Sequence, residues 1–126
     1  MLKLDYKNDK PLHEQITQGI KDLIMSGVLL PDGQLPSVRE LSVSLTVNPN
    51  TVQRAYKTLE NEGVIYSIRG KGNFVATTVE ADKRQLDSLY GALRETVLEL
   101  AFYGESQSDI NAVIDEVYKE RNEKHD

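Results

Sequence analysis

A chain of 126 residues has room for one compact domain with an extension, or for two small units, but not for a large catalytic domain as well. It has no cysteine, which excludes disulfides, thiolate metal sites and cysteine nucleophiles, and its two histidines, His13 and His125, stand near opposite ends, which argues against a structural zinc site. The net charge of −5 is unevenly spread: residues 1–78 carry 9 Lys/Arg against 8 Asp/Glu, and residues 79–126 carry 6 against 12, so the first two thirds can still present a locally basic face. No apolar run approaches the roughly 20 residues that span a bilayer. The opening Met1-Leu2-Lys3-Leu4-Asp5 lacks the apolar stretch of a signal peptide. The expectation is a soluble, cytoplasmic protein with no membrane partner, no metal and no cofactor.

Pro11 to Ser26 reads as a first helix, with Leu12, Ile16, Ile20, Leu23 and Ile24 at helical spacing, Pro11 in the first turn and Gly27 at the stop. Residues 27–36 are rich in turn formers and read as a loop. Ser37 and Glu40 form a capping box that starts a short second helix, whose Val38, Leu41 and Leu45 face inward. The chain must turn at Thr46-Val47-Asn48-Pro49. Asn48 is suited to the N-cap and Pro49 to the first position of a third helix, which runs to about Glu62 and buries Val52, Ala55, Tyr56 and Leu59. Gly63 ends it. From Val64 to Ile68 the residues are β-branched and aromatic, Arg69-Gly70-Lys71-Gly72 is a basic turn, and Asn73 to Thr77 is a second strand, so the pair forms a hairpin. Helix returns from about Asp82, breaks over Gly104 to Ser108, resumes at about Asp109, and is expected to fray over Glu120 to Asp126.

Three helices with a tight turn before the third, then a hairpin, describe a winged helix-turn-helix. The fold class is α+β, with a short two-helix extension after the winged unit. The third helix is the element that can enter a DNA major groove, roughly 12 Å wide. Its solvent side offers Asn50, Thr51, Gln53, Arg54 and Lys57, none of them acidic. Asn and Gln can pair with adenine edges, and Arg and Lys can reach guanine or phosphate. The free amides at the helix start also suit a phosphate. Arg69 and Lys71 alternate with Gly70 and Gly72, which let the backbone come close to DNA, and such a wing touches the minor groove or its rim. Taken singly, each feature has a plainer reading: a polar helix face is usually just solvated, a basic turn is usually a plain hairpin, and His13 suits a surface role on the first helix.

The combination of Leu35-Pro36-Ser37-Val38-Arg39-Glu40-Leu41, Val47-Asn48-Pro49-Asn50-Thr51-Val52, Ala55-Tyr56, Leu59-Glu60, Gly63 and Arg69-Gly70-Lys71-Gly72-Asn73-Phe74-Val75 resembles the GntR family of bacterial regulators. The opening Pro11-Leu12-His13-Glu14-Gln15-Ile16 fits as well. The Asn48-Pro49-Asn50-Thr51 version and the short helical tail resemble the YtrA subfamily. The resemblance spans about residues 4–77 and over the tail extends only to length and helicity. It implies a sequence-specific transcription regulator, mostly a repressor among relatives, that binds double-stranded operator DNA; a transporter operon would suit the subfamily. It implies that Ser37 and Arg39, at the start of the second helix, meet DNA, Arg39 through phosphate or guanine. It also implies that Asn48, Asn50, Thr51 and Gln53 lie on the recognition face, with Gly70 at the minor groove. Many relatives carry arginine where this chain has Pro49 and Gln53, so guanine reading does not carry over to those two positions. Pro31-Asp32-Gly33 departs from the more usual Pro-Gly order, with no evident functional consequence.

The expected division is a DNA-binding unit over residues 1–78 and a helical tail over 79–126. Along the tail, Leu86, Leu89, Tyr90, Leu93, Val97 and Leu100 share one face, and Ile110, Val113, Ile114 and Val117 another. Two amphipathic helices cannot bury such faces alone, which predicts a homodimer matched to a two-fold operator. About 45 residues leave little room for a ligand pocket of roughly 300 Å³ or more, so a small-molecule effector is left with the dimer interface. A winged-helix module that binds protein and no DNA is the alternative. An enzyme is not expected: there is no nucleophile motif and no pair of catalytic carboxylates, and the glycine turn is too short, and wrongly placed between strands, for a nucleotide loop.

Overall fold

The computed structural model describes residues 2–77, 81 and 83–125, the last three by their backbone alone. The elements follow in the order α1 (Leu12–Met25), α2 (Val38–Leu45), α3 (Pro49–Asn61), β1 (Ile65–Ile68), β2 (Gly72–Val75), α4 (Lys83–Phe102) and α5 (Gln107–His125). The chain divides into two compact units at residues 79 and 80. Among the described residues no helix is long and apolar enough to cross a membrane.

In the first unit the helix starts follow the sequence closely. Pro11 stands at the N-cap of α1 (φ −56°, ψ 150°), just outside the helix, and α1 ends on Ser26 before Gly27 turns left-handed (φ 81°). Ser37 Oγ accepts from the Glu40 amide at 3.0 Å, and Glu40 Oε1 accepts from the Ser37 amide at 2.9 Å. Hydrogen bonds from Ser37, its backbone N–H first and its side chain second, hold the Glu40 carboxyl below the usual glutamate range. The box is therefore complete at neutral pH and opens as acid takes the pH below that lowered value. Asn48 Oδ1 caps α3 by accepting from the Asn50 amide at 2.8 Å, with Pro49 in the first turn.

α3 packs on both α1 and α2, and the hairpin follows it. The core they share contains Ile16 and Ile20 of α1, Leu41 of α2, Val52, Ala55, Tyr56 and Leu59 of α3, and Ile65 and Val75 of the hairpin. Fully burying each large apolar side chain contributes roughly 1.5–3 kcal/mol. Tyr56 belongs to this core and is 2% exposed. Its hydroxyl donates to the Pro36 carbonyl at 2.7 Å, tying α3 to the entry of α2. Burial, helped by the negative charge of Glu40, pushes the phenol pKa up, so it remains a neutral donor. An apolar groove of about 380 Å³, lined by Leu2, Leu23, Leu41 and Leu45 among others, lies beside this core and includes none of the candidate DNA contacts.

The turn between α2 and α3 is made by Thr46, a β-branched residue in the left-handed region (φ 57°, ψ 49°). A side chain branched at Cβ is strained there, at a cost on the order of 1–3 kcal/mol. Thr46→Gly is therefore expected to raise stability by about 1 kcal/mol, once glycine's extra freedom in the unfolded chain is set against the strain relieved. A urea unfolding midpoint that stays put or falls would show that the turn is unstrained.

β1 starts at Ile65 rather than Val64, and two further segments differ from the sequence reading. β2 runs over Gly72–Val75 rather than 73–77, because it pairs antiparallel with β1 in a register that sets Ile68 opposite Gly72 and Ile65 opposite Val75. The segment 32–35, read as loop, pairs with the free edge of β2. Asp32 N–H donates to the Val75 carbonyl at 2.8 Å, Val75 N–H to that of Gly33 at 2.9 Å, and Leu35 N–H to that of Asn73 at 2.8 Å. The order Pro31-Asp32-Gly33 does have a structural consequence. Asp32 takes the left-handed conformation (φ 61°), and its carboxylate accepts from the Tyr66 hydroxyl at 2.8 Å and the Thr77 hydroxyl at 3.2 Å. Loop and hairpin are thereby clamped together beside the stacked rings of Tyr66 and Phe74.

In the second unit α4 ends at a left-handed Gly104 (φ 86°). Its expected start at Asp82 lies outside the described residues. α5 begins at Gln107, two residues earlier than expected, because Ser106 caps it: Ser106 Oγ accepts from the Asp109 amide at 3.1 Å. The backbone of α5 continues as helix through His125, past the expected fraying, as strong helix formers such as Lys, Glu and Arg allow. No residue of α4 is buried. Leu89 and Tyr90 are 65% and 68% exposed, and Leu86, Leu93, Leu100, Val113, Ile114 and Val117 are exposed too, with Val97 and Ile110 half-buried.

Candidate nucleic-acid interface

The site is built from α2, α3 and the hairpin turn. Four core residues fix the roll of α3: with Val52, Ala55, Tyr56 and Leu59 inward, 100° per residue sets Asn50, Arg54 and Lys57 along the middle of the outward face. Asn50, Gln53, Arg54 and Lys57 are exposed and Thr51 is half-buried. The same construction adds Asn61, exposed at the end of the stripe.

The start of α3 is less open than its sequence suggests. Pro49 has no N–H, the Asn50 amide is taken by Asn48 Oδ1, and the Thr51 amide donates to the Asn48 carbonyl at 2.9 Å. The amides expected to be free for a phosphate are thus already satisfied, and Asn48 spends its side-chain oxygen as a cap and keeps its NH₂ group for other partners. Ser37 Oγ is engaged in the same way as an acceptor. Arg39 is exposed in the first turn of α2.

The cations of the site are unspent. Among the described residues the ion pair is Lys21 Nζ–Glu62 Oε2 at 2.9 Å. Arg39, Arg54, Lys57, Arg69 and Lys71 have no carboxylate partner among those residues. In the hairpin turn, Lys71 N–H donates to the Ile68 carbonyl at 2.9 Å with Gly70 at φ 78°, as a type II turn requires of its third residue. A Cβ at Gly70 would meet nothing within 4 Å, so this tip stands clear of the rest of the chain.

Two contributors were not visible in the sequence. His13, at the start of α1, shares a surface cleft with Asn50, Thr51 and Arg54, because α1 packs along α3. Gln34 reaches the turn itself: its Nε2 donates to the Lys71 carbonyl at 2.8 Å. No local pattern signals a partner 37 positions away.

Residues 12–75 match the family described as "Bacterial regulatory proteins, gntR family". The chain belongs to the GntR family. Over 119 residues it is 32% identical to the HTH-type transcriptional repressor YtrA of Bacillus subtilis (strain 168), covering 93% of this chain and 92% of that protein. Among solved structures it is similar to YtrA of Sulfolobus acidocaldarius, a GntR-family transcription factor, at 36% identity and a TM-score of 0.61, covering 74% of this chain and 97% of the other. The DNA-binding domain of AraR, solved in complex with operator ORX1, is similar at 33% identity and a TM-score of 0.52, covering 58% of this chain and 87% of the other. This GntR chain is thus a transcription regulator with a winged helix-turn-helix and C-terminal helices, and the family is one of DNA-binding proteins, not a class of enzymes.

Proposed function

We propose that this chain is a transcriptional repressor that acts as a homodimer on a pseudo-palindromic operator, by binding and without turnover. The observation that carries this reading is the set of exposed cations without carboxylate partners among the described residues, on three elements of one unit: Arg39 on α2, Arg54 and Lys57 on α3, and Arg69 and Lys71 in the wing. Repression is supported by the name of the B. subtilis relative, and DNA as partner by the operator complex of the AraR domain. The proposed division of labour assigns DNA to residues 1–78 and dimerisation to 79–126. A protein-interaction module without DNA binding has no observation in its favour.

Phosphate contacts position the protein, and base contacts specify the sequence. Arg39→Ala is expected to weaken binding to every duplex by a similar factor. Gln53→Ala is expected to reduce discrimination at one base position by about 1–3 kcal/mol while binding elsewhere persists. The measurement is a titration series on duplexes enriched from a random pool by the intact chain, each with single-base changes. Equal, sequence-independent losses for both variants would remove Gln53 from base reading, and an unchanged affinity for Arg39→Ala would remove Arg39 from the interface.

A further inference from the structure

We infer that Gln34 is the residue that sets the pose of the wing for DNA, although it lies outside both the hairpin and the helix-turn-helix. The inference rests on the reading of the wing as a DNA contact. Three observations carry it. The Gln34 side chain donates from Nε2 to the Lys71 carbonyl at 2.8 Å, so it grips the backbone where the turn passes from the second wing cation into Gly72. A Cβ on Gly72 would come within 2.9 Å of the same Nε2, so the amide occupies the space that a side chain at position 72 would need. The backbone of Gln34 is fixed independently, by its antiparallel pairing with Phe74 and by the bonds of its neighbours Gly33 and Leu35 to β2.

The arrangement works as a lever. The ladder along β2 holds Gln34 in place, and its side chain reaches past the near end of that strand to Lys71. The turn is otherwise held by its own Lys71–Ile68 bond and by the two strand ends. Its tip is open to solvent at Gly70. Without the amide the hairpin still forms, but Arg69 and Lys71 sample more orientations, and DNA binding must then order them at an entropic cost. Gln34 is thus a positioning residue: it meets the wing, and the wing meets DNA. The glycine at 72 has a double reason, since its φ of 124° disfavours a side chain and the Gln34 amide fills the place a side chain would take.

The test is a set of intact-chain variants: Gln34→Met, which keeps length and removes the donor; Gln34→Asn, which keeps the amide and is one methylene too short; Arg69→Ala/Lys71→Ala; and each Gln34 change combined with that pair. Affinity for one enriched duplex is measured with the urea midpoint as control. The cost of ordering the freed turn on DNA corresponds to a loss of about three- to tenfold in affinity for either Gln34 variant, while the urea midpoint falls by no more than one exposed hydrogen bond contributes. The same Gln34 change should add almost nothing once Arg69 and Lys71 are alanine, because the group it positions is gone. Undiminished affinity of both Gln34 variants, or a loss that adds in full to that of the wing pair, overturns the inference. If the wing pair itself binds like the parent, the underlying reading of the wing fails, and that result is distinct from a failure of Gln34 alone.

Discussion

Arg69→Ala/Lys71→Ala is expected to lower affinity for every duplex and to flatten its salt dependence. For each phosphate that the variant no longer neutralises, the log–log slope against salt should fall by about 0.9, so about 1.8 if both cations meet phosphate. The expectation follows from the turn's geometry. Both cations lack a carboxylate partner among the described residues, and they flank a glycine whose surroundings are open. Nothing in the fold depends on them: the hairpin is held by its strand register and by the Lys71 backbone, which alanine retains. Circular dichroism and the urea midpoint should therefore match the parent. Binding titrations at several salt concentrations read the effect directly, and a double variant with the parent's slope would leave the wing without a role in DNA binding.

Leu89→Glu/Leu93→Glu is expected to convert a dimer into a monomer at micromolar concentration. Leu89 is 65% exposed and Leu93 47% in the single chain, on a helix that buries none of its residues. Leu98, Val113, Val117 and Tyr118 are at least 57% exposed as well. Uncovered apolar surface on two helices fits an interaction face, and in a tail that is already acidic two added glutamates on that face oppose association of two copies. If a dimer reads two half-sites, each half-site tethers the other, and splitting it should weaken operator binding by about 10²–10⁴-fold. The winged unit has its own core and should remain folded. Ultracentrifugation of parent and variant decides: a monomeric parent, or a variant that stays dimeric, would move the assembly surface elsewhere.

What could be read from the sequence was whatever is local in its physics. The Ser37–Glu40 box, the Asn48 cap with Pro49 behind it, and the left-handed glycines at 27 and 63 each depend on interactions within a few residues, and each stands where the pattern put it. The inward set of α3 followed from periodicity alone. What escaped depends on tertiary pairing. Residues 32–35 look like a loop because their strand-like bonds go to β2, some forty positions on, and Asp32 looks like a miswritten turn until Tyr66 and Thr77 supply its partners. The cap at Ser106, three residues before Asp109, fell inside the break read over Gly104 to Ser108. The amides at the start of α3 appeared free because the helix rule leaves them so. The Asn48 cap, itself read correctly, takes one of them.

If the winged unit reads DNA, and a pair of them does so together, footprinting of the intact chain on a duplex enriched from a random-sequence pool shows both at once. The expected pattern is a two-fold-symmetric protected region with half-sites about one helical turn apart, abolished by Arg54→Glu/Lys57→Glu on the exposed face of α3. A single asymmetric half-site would speak against the paired reading, and protection that survives the α3 charge reversal would overturn the assignment of that face to DNA.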